Sequence, residues 1–335
     1  MRAAIMQGLH QPLAVDTLPD PTPGDDELVV KVGRCGICGS DLHMTEDPSF
    51  GRGAGTVLGH EFAGEIVAMG KGVEGFATGD LVSVSPLQSC GQCEACRAGD
   101  VAWCAQFGLQ MGGYAEYALT RPNQCVKLPA ALSLADGAIV EPLAVALHGV
   151  SLSGIRPGDK VLVLGAGPIG LAVAFWARRA GAARVIVQDI ADWQRARAME
   201  MGASAFIVDP DDPVAASTRA LGGLADIVFE CVGVPGLIAQ AVKQVRARGT
   251  ILLLGLCSQP DTFNSFAMLS KEVRLVTSAF FTQGEYEAAL DVLDRGAAEP
   301  RALVTETISL DRTPDVFESL KRRTHQCKVL IAPMT

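Results

Sequence analysis

The 335-residue chain has no basic stripe, and its formal net charge is −9. An excess of carboxylates with no clustered Lys or Arg excludes a phosphate backbone or an anionic lipid surface as a partner. No uninterrupted apolar run reaches the roughly 20 residues that span a bilayer. The opening Met-Arg-Ala-Ala-Ile-Met-Gln-Gly lacks the apolar core of an export signal, so a cytoplasmic setting is expected. Internal repeats and low-complexity tracts are also missing. Charged residues make up only 19% and apolar residues 49%, a balance that suits a packed globular enzyme and not a disordered tail. The length accommodates two domains of ordinary size. Ten cysteines without an export signal point to reduced thiols and metal sites.

Four of those cysteines stand at Cys90, Cys93, Cys96 and Cys104, with the spacing C-x2-C-x2-C-x7-C. Such a lobe can wrap four thiolates around a tetrahedral ion and leave no position open, which describes a structural Zn²⁺. Disulfides are disfavoured because the other six cysteines are scattered.

The chain changes texture partway. From residue 1 to about 140, short strands are broken by Gly, Pro and Asp, with Glu27–Val32, Glu61–Met69, Leu81–Ser85 and Tyr114–Leu119 as examples. From about Gly158 to Phe281, strands alternate with helices. Lys160–Leu164, Arg184–Gln188, Ala205–Val208, Ala225–Cys231, Thr250–Gly255 and Val273–Ala279 read as strands, with helices at Pro168–Ala180 and Asp192–Met201. That alternation predicts an α/β Rossmann domain, a doubly wound parallel sheet. The last fifty or so residues are mixed and end in the strand-like Lys328–Ile331, expected to fold back on the first domain.

Strand Val161–Leu164 runs into Gly165-Ala-Gly167-Pro168-Ile169-Gly170, which opens a helix, and Asp189 closes the next strand. A lone G-x-G-x-x-G says little, but strand before, helix after and an acid further on define a dinucleotide site. Gly165 makes the tight turn, Gly167 admits the pyrophosphate and Gly170 lets the helix pack on the sheet. The helix N-terminus offers N–H groups to the phosphates. A carboxylate at Asp189 accepts both ribose hydroxyls of NAD and repels the extra phosphate of NADP. Arg195 and Arg197, inside the following helix, read as solvated and not as phosphate ligands.

Upstream lie Cys35-Gly-Ile-Cys38-Gly-Ser40-Asp41-Leu-His43 and Gly59-His60-Glu61-Phe-Ala-Gly-Glu. Later comes Val140-Glu141-Pro142-Leu-Ala-Val-Ala-Leu-His148. With the four-cysteine lobe and the glycine loop these make five motifs in order. In them the chain resembles the zinc-dependent medium-chain dehydrogenases over essentially its whole length. Glu141 before Pro142 is similar to the polyol and butanediol branch; simple alcohol dehydrogenases usually carry cysteine there and threonine dehydrogenases aspartate.

The resemblance implies a GroES-like β-rich catalytic domain over 1–143, with the structural-zinc lobe at about 88–106. It further implies a Rossmann domain over 144–281, a return of 282–335 to the catalytic domain, and an active site in the cleft between the two. It assigns Cys38 and His60 as ligands of a catalytic zinc, with Glu61 as a third. Glu141 is either a ligand or the acceptor of a hydrogen bond from zinc-bound water. Three protein ligands with an open position are what a catalytic zinc needs. Ser40 would take the alcohol proton and pass it through the cofactor ribose to His43, whose near-neutral pKa suits a relay. Asp41 is expected to hold its loop by bonds to backbone N–H groups. Cys35 and His148 read as packed side chains, and His10 and His325 receive no role.

The implied activity is an NAD-dependent, two-zinc alcohol dehydrogenase acting on a secondary hydroxyl of a polyol, sugar or vicinal diol, as a homodimer or homotetramer. Rival readings are a threonine-type amino-alcohol dehydrogenase, which Glu141 weakens, and a non-catalytic NAD- and zinc-binding redox sensor. A zinc-free NADPH enone reductase on the same fold needs neither Cys38, His60 nor the lobe. Gln106–Gly113 and the surroundings of Phe50 are expected to line the substrate pocket, with Met44, Phe50 and Phe107 making it partly apolar.

Overall fold

Strands from the broken, alternating first part of the chain pair mostly antiparallel, and the continuous apolar runs of the second part pair parallel. The computed structural model describes residues 1–322 and 324–335. It divides into two units. One comprises Met1–Glu141, Thr282–Ala297 and Val304–Thr335, the other Pro142–Phe281 and Ala298–Leu303.

In the first unit a seven-stranded sheet runs Val304–Ser309, Lys328–Ala332, Leu28–Gly36, Glu61–Met69, Leu81–Val84 and Cys125–Lys127, with Tyr117–Thr120 pairing onto Leu28–Gly36. Inward residues such as Val30, Val32, Phe62, Ile66, Val82, Val84, Val329 and Ile331 form its core. Register decides what meets at one end of this sheet. Gly36 pairs with Glu61 and also with Leu330, two residues after Lys328, so three distant parts of the sequence converge there. The helix Gly39–Glu46 follows directly.

The second unit holds a six-stranded parallel sheet in the order Ala205–Ile207, Arg184–Gln188, Lys160–Leu164, Ala225–Glu230, Val245–Leu253, Arg274–Thr277. The strand order reverses direction on either side of Lys160–Leu164, the doubly wound pattern. Val161, Leu162, Val163 and Leu164 are all buried, as expected of a strand covered on both faces.

Several elements differ from expectation for local reasons. Tyr114 lies outside a strand: its N–H donates to the Leu58 carbonyl and its carbonyl accepts from Ala4. The helix expected from Asp192 starts at Arg195, whose side chain bonds the Asp192 carboxylate in the preceding turn. Segment Ala298–Leu303 belongs to the second unit, where its 3-10 turn packs on the helices Pro168–Arg179 and Arg195–Glu200 with Pro300 and Leu303 buried.

Candidate active site

Cys38, His60 and Glu61 each present a ligand atom within 4.8 Å of the others. Cys38 is the extended residue that precedes helix Gly39–Glu46, and Asp41 in the first turn reaches back to accept its N–H at 3.1 Å. His60 and Glu61 enter the strand Glu61–Met69 and are both buried. The carboxylate of Asp41, expected to serve only the loop, also stands 3.2 Å from His60 Nδ1 and accepts the Tyr114 hydroxyl at 2.6 Å. An acceptor on Nδ1 leaves Nε2 to face the cluster, the arrangement found behind metal-bound imidazoles. Burial works against a charge on His60, yet the charges of Asp41 and Cys38 together hold its pKa well above the ordinary value.

Sequence reasoning missed Lys328. Its ammonium, 2% exposed, lies 2.7 Å from the Glu61 carboxylate, donating to Oε1, and it also donates to the Ile37 carbonyl at 3.0 Å. Burial alone would lower its pKa; the Glu61 charge reverses this and holds it above the usual lysine range. The available signal was a lysine opening an otherwise apolar strand, Lys-Val-Leu-Ile-Ala, because an unpaired buried ammonium is too costly to keep.

The donor set fits a divalent cation. Glu61 Oε2 is buried, with the Lys328 ammonium 2.7 Å away as its ion-pair partner. A Cβ on Gly36 would come 2.0 Å from that same oxygen, so glycine there leaves the carboxylate its space. A thiolate, an imidazole and a carboxylate oxygen suit zinc. Glu141, at the start of helix Val140–Ser153, is buried near the cluster but outside the set of three. Burial pushes its carboxyl up to about 7; His60 opposes that and Glu61 adds to it.

Ser40 and His43 share helix Gly39–Glu46 at i, i+3, on one face. The Ser40 hydroxyl donates to Cys38 Sγ at 3.3 Å, which puts it against the cluster. The half-buried His43 ring stacks on Phe50 with centroids 5.8 Å apart. Met44, expected at the pocket wall, is 3% exposed and belongs to the core, because its place on the helix turns it inward.

Among the described residues none of the ten cysteines is in a disulfide. Cys90, Cys93, Cys96 and Cys104 form a second cluster within the 4.8 Å limit, arranged around the short helix Glu94–Ala98 and the turn Val101–Trp103. Cys104 Sγ accepts the N–H groups of Cys90 and Gln106, each at 3.3 Å. Hydrogen bonding to the Cys96 backbone N–H, and with its thiol, lowers Cys93 to about 6, which favours the thiolate a metal binds. Four sulfurs and no other donor fit a closed, structural zinc.

In the second unit, Lys160–Leu164 leads into the glycine loop and helix Pro168–Arg179. Gly165 has φ +97°, a conformation that side chains strain to adopt, and a Cβ on Gly170 would lie 2.0 Å from the Gly165 carbonyl oxygen. Nothing lies within 4 Å of a Cβ on Gly167, so the loop is open where the pyrophosphate is expected. Ile169 follows Pro168 in the first turn, whose N–H groups have no intrahelical acceptor. Asp189 accepts the Ala166 N–H at 2.8 Å on Oδ2 and the Ile190 N–H at 2.6 Å on Oδ1. It therefore braces the glycine loop, and its Oδ1 also accepts the Ala191 N–H at 3.3 Å. Arg195 is not simply solvated: it bonds Asp192, donates to the Phe206 carbonyl at 2.8 Å and lies over the Phe206 ring.

A β-rich unit with a Cys-His-Glu centre and a four-cysteine lobe, together with a Rossmann unit, defines a zinc- and dinucleotide-dependent dehydrogenase. Two family models match, the alcohol dehydrogenase GroES-like domain over residues 24–130 and the zinc-binding dehydrogenase over residues 168–295. The chain belongs to the zinc-type medium-chain dehydrogenase/reductase family, in its polyol and diol branch. A sorbitol dehydrogenase of Halalkalibacterium halodurans is 35% identical over 96% of each chain. The crystal structure of a putative zinc-binding dehydrogenase from Sinorhizobium meliloti 1021, bound to NADP, is 35% identical with a TM-score of 0.90 over 99% of both chains. An Escherichia coli CFT073 alcohol dehydrogenase complexed with NADH is 29% identical, again with a TM-score of 0.90 over 99% of both chains.

Among the described residues, no helix is long and apolar enough to cross a membrane.

Proposed function

We propose that the protein oxidises the secondary hydroxyl of a polyol, sugar or vicinal diol, with NAD as hydride acceptor and two zinc ions per chain. The observation that carries this reading is the convergence of Cys38, His60 and Glu61, one ligand atom from each lying within 4.8 Å of the others. Similarity to a sorbitol dehydrogenase supports the polyol class. When bound, zinc supplies the Lewis acidity that eases loss of the alcohol proton, and the nicotinamide supplies the hydride acceptor. Cys38, His60 and Glu61 hold the metal. Ser40 takes the substrate proton and His43 delivers it to solvent. Glu141 acts from outside the ligand set as a hydrogen-bond partner of the bound hydroxyl. A second carboxylate on the metal would add negative charge where a developing oxyanion must be tolerated. Gly165, Gly167, Pro168, Ile169 and Gly170 cradle the pyrophosphate, Asp189 the adenosine ribose, and Cys90, Cys93, Cys96 and Cys104 the structural zinc.

The reading includes a homodimer or homotetramer and a cytoplasmic setting, in which cysteines outside disulfides stay reduced. It is tested by zinc analysis and by a screen for reduced cofactor, with NAD and NADP, across polyols, sugars, diols and amino alcohols. Turnover of polyols or diols with NAD is expected. Selective turnover of an amino alcohol would favour the threonine-type reading, and a zinc-loaded protein that oxidises nothing would leave only a sensor. Glu141→Gln should keep both zinc ions and displace the pH–rate profile; loss of the catalytic zinc would make Glu141 a ligand.

A further inference from the structure

Tyr114 follows Gly112 and Gly113 and is completely buried, with its ring edge-on to Phe317 at 6.3 Å. A buried tyrosine hydroxyl needs a partner, and this one donates to Asp41 Oδ2 at 2.6 Å. Asp41 is also completely buried. Its Oδ2 takes the Cys38 N–H as well, at 3.1 Å, while Oδ1 faces His60 Nδ1 at 3.2 Å. A carboxylate in such a place keeps its orientation only while its lone pairs are filled. Tyr114 supplies its shortest bond. Without that bond the carboxylate is free to turn away from the imidazole.

The ring makes a second, separate contact. Gly59, immediately before His60, has φ +89°, and a Cβ there would come 2.3 Å from Tyr114 Cδ1. The tyrosine therefore packs on the backbone that leads into His60 and, through Asp41, holds the imidazole itself.

We propose that Tyr114 is a positioning residue of the catalytic metal centre, setting the orientation of His60 through the Asp41 carboxylate. This rests on the reading of Cys38, His60 and Glu61 as zinc ligands. Tyr114→Phe keeps the ring on Gly59 and removes only the hydroxyl. Groups that orient a metal-bound imidazole from behind typically account for 10- to 100-fold in metal affinity. One bond further out, about tenfold is expected.

The test is chelator competition on the zinc-loaded protein, followed by cobalt(II) substitution at the catalytic site. In Tyr114→Phe the catalytic zinc should be lost at about tenfold lower chelator concentration, and the cobalt absorption bands should shift. The four-cysteine zinc and the circular dichroism spectrum should match wild type. In an Asp41→Asn background the tyrosine substitution should have little further effect on zinc retention. Unchanged zinc retention and cobalt bands in Tyr114→Phe would overturn the proposal. So would an undiminished effect in the Asp41→Asn background, or failure of Tyr114→Phe to fold, since the hydroxyl would then serve the fold. A wild type that holds two zinc ions and oxidises no alcohol would refute the proposed function yet leave this test readable. A wild type holding only the four-cysteine zinc would refute both.

Discussion

Replacing Lys328 by Met tests whether the ion pair beneath the metal cluster is needed by Glu61 or only packs against it. The two side chains are 2% and 1% exposed, and the ammonium lies 2.7 Å from the carboxylate. At that distance two unit charges attract by about 6 kcal/mol at an effective dielectric near 20. Desolvation takes back much of this, so the intact pair contributes little net stability. Severing it is different, because the surviving charge has no water to turn to, and the cost is about 3–5 kcal/mol. Zinc binding would obscure the measurement, since a cation can replace the ammonium as the partner of Glu61. The comparison is therefore made in a Cys38→Ser background, by urea denaturation with linear extrapolation. Lys328→Met should lose about 3–5 kcal/mol. Adding Glu61→Gln removes the stranded carboxylate and should recover most of that loss. If the double substitution is instead as costly as the two single ones summed, the lysine acts through packing and the electrostatic account fails.

Asp189→Ser should erode the preference for NAD over NADP, because it removes a charge and a ribose acceptor worth about 1.5–3 kcal/mol. A wild type with the higher kcat/KM for NADP would refute the assignment, and release of Arg195 from Asp192 would then be the first thing to examine. Cys38→Ser should abolish turnover in a folded protein that still binds NAD. Cys96→Ser should impair folding or assembly, since a closed thiolate site stabilises the folded chain directly; metal analysis and circular dichroism separate the two. Asp226 accepts the Lys160 N–H at 2.8 Å and pairs with Arg246 at 2.5 Å. Burial opposes its charge, but these bonds together lower its pKa in the folded state. Its contribution is therefore present above the unfolded value near 3.9 and lost as pH falls through the lower folded one. Asp226→Asn should cost about 1 kcal/mol at pH 7, since the pair is partly exposed. That difference should shrink below pH 4 in chemical denaturation.

Much of this molecule is written in local sequence. Strand Val161–Leu164, the glycine loop and Asp189 lie within thirty residues or so, and Gly170 is required by the Gly165 carbonyl beside it. The four cysteines of the lobe likewise sit on one short segment. Such features are legible because the chemistry that needs them is satisfied by residues near in the chain. Family resemblance extended the reading to Cys38, His60, Glu61 and Glu141, which sequence spacing alone does not bring together.

Tertiary structure decided what surrounds them. Lys328 reaches Glu61 from 267 positions away because two strand registers, Gly36 with Glu61 and Gly36 with Leu330, place the start of the last strand beneath the cluster. Tyr114 meets Asp41 across 73 positions because backbone bonds to Leu58 and Ala4 hold it, outside any strand, with its ring buried. Arg195 looked solvated until Phe206, on the neighbouring strand, supplied it with a carbonyl and a ring face. In each case a side chain identifiable by type is given its partner by the folded chain, for Lys328 directly through strand pairing. Pairing is a property of the folded sheet, which depends on register and not on separation along the chain.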